Sequence, residues 1–258
     1  MIQDIFPHVY HNEYRDIPAQ AAAPLLTFHS GRVLCRQEGE RLRYPVCGDF
    51  PQRPCHYLFA IDETPYFLDA SGEEAALAGF GYESMNVMRE TADKVAAFAG
   101  ITANQLALWY GDNRFCGRCG RETAPDHKER MLFCEHCGNM IYPRISPAVI
   151  VAIVSGERLL LAGSVNRPKG RYGLIAGFAE IGESIEQTVH REVKEEVGLK
   201  VKNLKFYKSQ PWSFSGCLLT GFFVELDGDD TLTLQEEELR DGKWFRRDEI
   251  DMPDNGIS

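Results

Sequence analysis

The most regular apolar pattern in the chain runs from residue 185 to residue 197, where Ile185, Val189, Val193 and Val197 recur at every fourth position. That spacing predicts an amphipathic helix with one buried stripe. Ser184 followed by Gln187 makes a capping-box pair at its start, and Gly198 stands where a helix C-terminal glycine belongs. Upstream, PAVIVAIV (147–154) and RLLLAGS (158–164) read as a strand pair turning at Ser155-Gly156, and further strands are predicted near 203–209 and 217–226. The first 110 residues mix short apolar runs, HYLFAI (56–61) and TPYFLDA (64–70), with helical periodicity from about Met85 to Phe98 and again around Ala103 to Tyr110. They read as an α+β unit that suggests no chemistry by itself. No internal repeat is visible.

The acids of the 185–197 helix do not lie where a solvated face would put them. At about 100° per residue, Glu192 and Glu196 fall within about 20° of Ile185. Glu195 falls just outside them, while Gln187, His190 and Lys194 take the far side. Carboxylates clustered at the edge of a buried stripe repel one another and lose hydration unless a cation joins them. A hard divalent ion with oxygen ligands, Mg2+ or Mn2+, is the natural partner.

A second pattern is Cys116-Gly-Arg-Cys119 and Cys134-Glu-His-Cys137, two knuckles separated by fourteen residues. Gly117, Gly120 and Gly138 supply tight turns that let thiolates converge. Four soft ligands with no open position suit a structural tetrahedral zinc, in preference to disulfides or a redox pair. Cys35, Cys47, Cys55 and Cys217 show no paired motif and read as reduced thiols.

Composition refines this picture in two ways. A net charge of −10 argues against nonspecific binding to a polyanionic backbone, but less against a small phosphorylated substrate met through a bound cation. The start, MIQDIFPHVYHNEY, lacks a basic segment followed by an apolar run, and no stretch approaches membrane-span length. A cytoplasmic protein without membrane partners is expected.

Residues 177–199 fill every fixed position of the pattern G-x5-E-x7-R-E-U-x-E-E-x-G-U, with Gly177, Glu183, Arg191, Glu192, Val193, Glu195, Glu196, Gly198 and Leu199. This stretch resembles the Nudix box of nucleoside-diphosphate-X hydrolases. With the cysteine knuckles before it, the chain resembles the bacterial NAD(H) pyrophosphatases, the NudC-type family, over nearly its whole length. The fold implied is α+β to α/β. A Nudix α/β/α sandwich with a mixed sheet (142–258) follows a zinc ribbon (111–141) and an N-terminal α+β domain (1–110). The resemblance also implies a C-terminal helix near the end of the chain. Ser209-Gln210-Pro211-Trp212 begins the family's SQPWPFPxS element, and Phe214 fits it. Ser213 and Ser215 replace two family prolines, and Cys217 replaces the family serine, which implies a looser loop with one polar contact fewer.

The activity implied by this resemblance is hydrolysis of NAD(H) to NMN(H) and AMP, with removal of NAD caps from RNA as a second activity. By resemblance, Glu192 and Glu196 are metal ligands, Glu195 is a third acid, and the Ala176 carbonyl completes the site. Glu238, six residues before Trp244, falls at the family's remote acid position. Arg191 is read as orienting a box glutamate. Tyr142 and Phe178 are candidate ring contacts, and Gln210, Pro211, Trp212, Ser213, Phe214, Ser215, Gly216 and Cys217 are candidate dinucleotide contacts. The family implies a homodimer. Two other readings stay open: a Nudix hydrolase for another diphosphate such as ADP-ribose, and a noncatalytic nucleic-acid-binding protein built on the ribbon.

Overall fold

The computed structural model describes residues 1–250. The chain divides into two compact units, one formed by residues 1–144 and one beginning at Ile145.

In the first unit, the apolar runs at 56–61 and 64–70 become the antiparallel hairpin Cys55–Ile61 and Thr64–Asp69. Strands Tyr10–His11 and Leu25–Leu26 flank it. A second sheet is built from Phe28–His29, Arg32–Glu38, Arg41–Arg43 and Gly81–Ser84. The two predicted helices are corrected to a short helix, Val87–Glu90, and one long helix, Lys94–Asp112. The break falls at 91–93 because the Asp93 side chain accepts from the Ala96 N–H and caps the long helix. Ala99-Gly100 does not interrupt it. A Cβ on Gly100 would lie 2.2 Å from Tyr44 Oη and 2.5 Å from Met88 Cε, so the glycine serves close packing.

The cysteine segment forms a three-stranded ribbon, Ala124–Pro125, Leu132–Cys134 and Asn139–Ile141. It is tied to the N-terminal chain by Tyr14 Oη donating to Asp126 O at 2.8 Å and by Arg130 donating to Asn12 and to Leu58 O.

The second unit is a six-stranded mixed sheet with one helix packed on it. Its strands are β1 (Ser146–Ser155), β2 (Arg158–Ser164), β3 (Ile175–Phe178), β4 (Val201–Trp212), β5 (Cys217–Leu226) and β6 (Leu239–Arg246). Their order is β4-β5-β1-β2-β6, with β3 also paired to β1. The expected hairpin at Ser155-Gly156 is present, but its ladder holds only Val154↔Leu159 and Ser155↔Arg158. The lower half of β1 pairs with β3 instead, and its other edge runs parallel to β5. The PAVIVAIV run is a central strand whose Val149, Val151 and Ile153 are fully buried with the helix valines. On its other face Ala148 and Ala152 are buried, and Ile150 and Val154 partly so.

The box helix spans Ile185–Val197, with the Ser184–Gln187 capping box formed and Gly198 at φ 74°. Val189, Val193 and Val197 are fully buried against Val149, Val151 and Ile153, which share one face of β1. Each such side chain contributes roughly 1.5–3 kcal/mol through burial. Strands β3 and β6 were not expected from the sequence. The C-terminal helix that the resemblance implies lies outside the described residues. Among the described residues no helix is long and apolar enough to cross a membrane.

Candidate active site

The packing that buries the valine stripe also fixes where the helix acids go. Glu192 and Glu196 sit one turn apart, on the flank that faces β3. Gly177 of β3 makes room for them: a Cβ there would stand 2.0 Å from the Glu192 Cδ. The box glycine is therefore required by the carboxylate it faces. Glu196 is only 5% exposed and receives a backbone hydrogen bond from Ala176.

Arg191 holds the outer part of this cluster. Its Nε and Nη2 grip both oxygens of Glu183 at 2.6 and 2.9 Å. Its Nη1 donates to Glu192 at 2.8 Å and to Glu195 at 2.9 Å, and Nη2 also reaches the Phe178 carbonyl at 2.8 Å. Glu195 is thus half-exposed and turned onto the arginine, while Glu192 and Glu196 remain on the packed side. Glu183, a fixed position of the box pattern to which the sequence reading gave no role, anchors the arginine. The arginine beside it draws its carboxyl down to about 2. Its separation of eight residues from Arg191 crosses the helix start, so no helical spacing rule picks out the pair.

Glu238 arrives from a distant segment by a specific route. The last carbonyls of a helix lack intrahelical partners. Here the Glu196 carbonyl accepts from the Gln235 N–H at 3.0 Å and the Val197 carbonyl from the Thr233 N–H at 3.0 Å. A Cβ on Gly198 would meet Thr233 at 2.8 Å, so the glycine also admits this segment. Residues 231–238 are thereby stitched to the helix C-terminus, and the turn before β6 brings Glu238 into the field of Glu192 and Glu196. Burial, then the charges of Glu192 and Glu238, raise the Glu196 carboxyl from 4.5 to about 8. Glu192 is raised by burial first, with Glu195 and Glu238 adding to it against the pull of Arg191. Glu192 and Glu196 thus resist ionisation together, while Glu238 stays exposed and accepts from the Gln235 amide at 3.3 Å. The buried pair offers oxygens of the kind a hard divalent cation takes.

The four knuckle cysteines converge as well, with all Sγ atoms within 4.8 Å of one another. Cys116 and Cys137 Sγ stand 3.6 Å apart, and Cys119 and Cys134 Sγ stand 3.5 Å apart. Tetrahedral zinc with Zn–S bonds of about 2.3 Å requires S···S separations of about 3.8 Å, so the cage fits that ion. The Arg118 N–H and the Asn139 amide also donate to Cys116 Sγ at 3.4 and 3.5 Å. Together these contacts support a structural zinc with no open position.

Comparison with known proteins matches residues 144–257 to the NUDIX domain and residues 112–142 to the NADH pyrophosphatase zinc ribbon domain. The NAD-capped RNA hydrolase NudC of Pseudomonas syringae pv. tomato is 38% identical over 203 residues, covering 78% of this chain and 72% of that protein. This chain belongs to the Nudix hydrolases, in their zinc-ribbon NudC-type family. The Shigella flexneri NAD-capped RNA hydrolase NudC is 43% identical over 148 residues, 57% of each chain. A Nudix hydrolase structure from Nitrosomonas europaea overlays with a TM-score of 0.46 at 23% identity, covering 53% of this chain and 80% of that one.

The remaining candidate residues of this Nudix chain fall into three places. Gln210, Pro211 and Trp212 are the last residues of β4, paired with Leu219, Leu218 and Cys217. Residues 213–216 then form a tight turn in place of the looser loop expected. The Ser215 N–H donates to Trp212 O at 3.2 Å, Ser213 is buried, and Gly216 has φ 66°. Cys217 is buried with its Sγ 3.2 Å from Ser215 Oγ, so the thiol serves the turn. Trp212 and Phe214 pack as a tilted pair, centroids 5.0 Å apart. Phe178 is half-exposed at the end of β3, in the same unit as the acids. Tyr142 is half-exposed in the first unit.

Proposed function

We propose that this chain hydrolyses the pyrophosphate bond of NAD(H), giving NMN(H) and AMP, and removes the same group from NAD-capped RNA. The observation that carries the reading is the buried Glu196 and partly buried Glu192 on a Nudix helix, with the exposed Glu238 brought near them, in a chain that also carries the four-cysteine ribbon. A relative named NAD-capped RNA hydrolase NudC is 38% identical over 203 residues, and the ribbon of this chain matches the NADH pyrophosphatase zinc ribbon domain.

In this reading Glu192, Glu196 and Glu238, with Glu195 and the Ala176 carbonyl, hold Mg2+ or Mn2+. The bound cation would supply charge neutralisation for the diphosphate and a more acidic water. Arg191 fixes the Glu192 oxygens by holding one of them and by being held itself through Glu183. The water oxygen bonds to one phosphorus, the bridging oxygen leaves with the other phosphate, and Glu238 accepts the proton that water gives up. Trp212, Phe214 and Phe178 offer ring faces to the base or nicotinamide, with Tyr142 as a further contact. We further propose three folding regions, 1–110, 111–141 and 142–258, a cytoplasmic location consistent with four unpaired cysteines outside the zinc cage, and a homodimer.

One observation favours a second reading. The turn at 213–217 departs from the family pattern where the dinucleotide is expected, and ADP-ribose would need fewer contacts there. Incubating the zinc-loaded chain with NADH, NAD+ or ADP-ribose, in Mg2+ or Mn2+, and weighing the products by mass spectrometry separates them. NMN(H) and AMP formed with the highest kcat/KM support NAD(H), faster release of ribose phosphate and AMP supports ADP-ribose, and no product from any of the three sinks both.

A further inference from the structure

A cavity of ≈ 410 Å3 lies within the first unit, and none of its lining residues is assigned to hydrolysis. Its walls come from the Phe28–Gly31 turn, the Leu68–Gly72 segment, the last turns of the long helix, and Thr123, Pro125 and Leu132 of the ribbon. That volume is within the range of small-molecule sites, about 300–1,000 Å3.

Four of its polar side chains make no hydrogen bond to the protein among the described residues. His56 and Tyr110 stack at 4.6 Å and 20°, yet neither the imidazole nitrogens nor the phenol oxygen makes a hydrogen bond among the described residues. The same is true of the Asn104 amide and the Arg114 guanidinium, which touches only the Phe115 ring. None of these atoms is sealed from solvent, so the cavity presents all of them to whatever enters it. Burial lowers the His56 pKa and keeps its ring neutral, able to donate at one nitrogen and accept at the other. The cavity's one carboxylate, Asp69, is already consumed by Arg53 and Ser71. The wall thus offers aromatic and aliphatic surface, hydrogen-bonding edges and one uncompensated cation at the mouth.

We propose that this cavity is a second ligand site that takes a nucleoside 5′-monophosphate. The base lies against the His56–Tyr110 pair and hydrogen-bonds to Asn104, and the phosphate pairs with Arg114 in the fork geometry guanidinium favours. This assignment rests on the cavity's own chemistry and not on the reaction at the acids.

The test uses AMP as the probe and the full, zinc-loaded chain carrying Glu196→Gln, without added Mg2+ or Mn2+. Calorimetric titration should show one saturable site with Kd below about 1 mM. Adding Arg114→Gln, an exposed position, should weaken binding about tenfold, and Ala107→Trp, which fills the cavity, should abolish it. Adenosine and orthophosphate should each bind at least about tenfold more weakly than AMP, since each lacks one half of the contacts. No saturable binding up to about 10 mM, equal binding by both added variants, or orthophosphate matching AMP would each overturn the proposal. In an otherwise native chain Arg114→Gln should leave NADH turnover unchanged, so failure here and failure of the hydrolase reading are separable.

Discussion

Replacing Glu196 by Gln should make the metal-free protein more stable at neutral pH while removing most of its turnover. The carboxyl is 5% exposed and titrates near 8 in the folded chain, against an ordinary 4.5. A group whose folded pKa is raised binds its proton more tightly when folded. An acid of this kind costs nothing below the unfolded value of 4.5, and its cost grows as pH climbs towards about 8 and is constant above. Each pH unit across that window is worth about 1.4 kcal/mol, and sharing of charge with Glu192 and Glu238 reduces the total to about 2–4 kcal/mol. Gln keeps the shape, can still accept from Ala176, and does not titrate.

The assay is thermal denaturation of both proteins, zinc-loaded and free of added divalent metal, at pH 5 and pH 8. At about 2–4 °C per kcal/mol the variant should melt roughly 5–15 °C higher at pH 8, with little difference at pH 5. Adding Mg2+ or Mn2+ at pH 8 should raise the wild-type melting point more than the variant's, because the cation binds the folded carboxylates. Turnover in the variant should fall more than about tenfold, or 1.4 kcal/mol. Equal melting points at pH 8, or an offset that is the same at both pH values, would show that Glu196 is not a strained buried acid.

Four further outcomes follow from the contacts. Gly177→Ala should displace Glu192, whose Cδ lies 2.0 Å from the new Cβ, and lower kcat by about 100-fold in a chain whose circular dichroism is unchanged. Arg191→Lys should lower metal-dependent activity about 10–100-fold, because an ammonium cannot grip both Glu183 oxygens while holding Glu192, and the apparent affinity for Mn2+ should fall with it. Cys116→Ser should reduce zinc per chain in elemental analysis and cost several kcal/mol, on the order expected when a structural site is lost. Ser215→Pro removes the N–H that donates to Trp212 O, and a loss of about 1 kcal/mol in denaturant unfolding is expected.

Much of this molecule was legible because its signals are local. The box helix was readable from its valine period, capping pair and terminal glycine, since each of these acts within one or two turns of the chain. The cysteine cage was readable from spacing, because knuckle geometry is set by a few residues around each thiol. The helix break at 91–93 was not, because Gly100 reads as a breaker until Met88 and Tyr44 are seen packed against it. Strand β3 escaped notice because four residues, Ile-Ala-Gly-Phe, carry too little pattern to register. The sequence suggests a strand only to residue 209 and a loop loosened by two serines at family proline positions, whereas pairing with β5 carries the strand on to Trp212.

The site itself mixes both kinds of information, and its long-range part explains its chemistry. The helix supplies two acids at a packed edge, but two acids in isolation would simply protonate or turn outward. What keeps them inward is a set of distant constraints: Gly177 yields space, Ala176 donates to Glu196, and Arg191 is immobilised through Glu183. The helix end then recruits the third acid, because the carbonyls of Glu196 and Val197 need donors and residues 233 and 235 provide them. One backbone requirement, satisfying a helix terminus, therefore places Glu238 beside the buried pair. The repulsion this creates favours a cation, since a divalent ion can offset the desolvation of Glu192 and Glu196 together with the like charge that Glu238 adds.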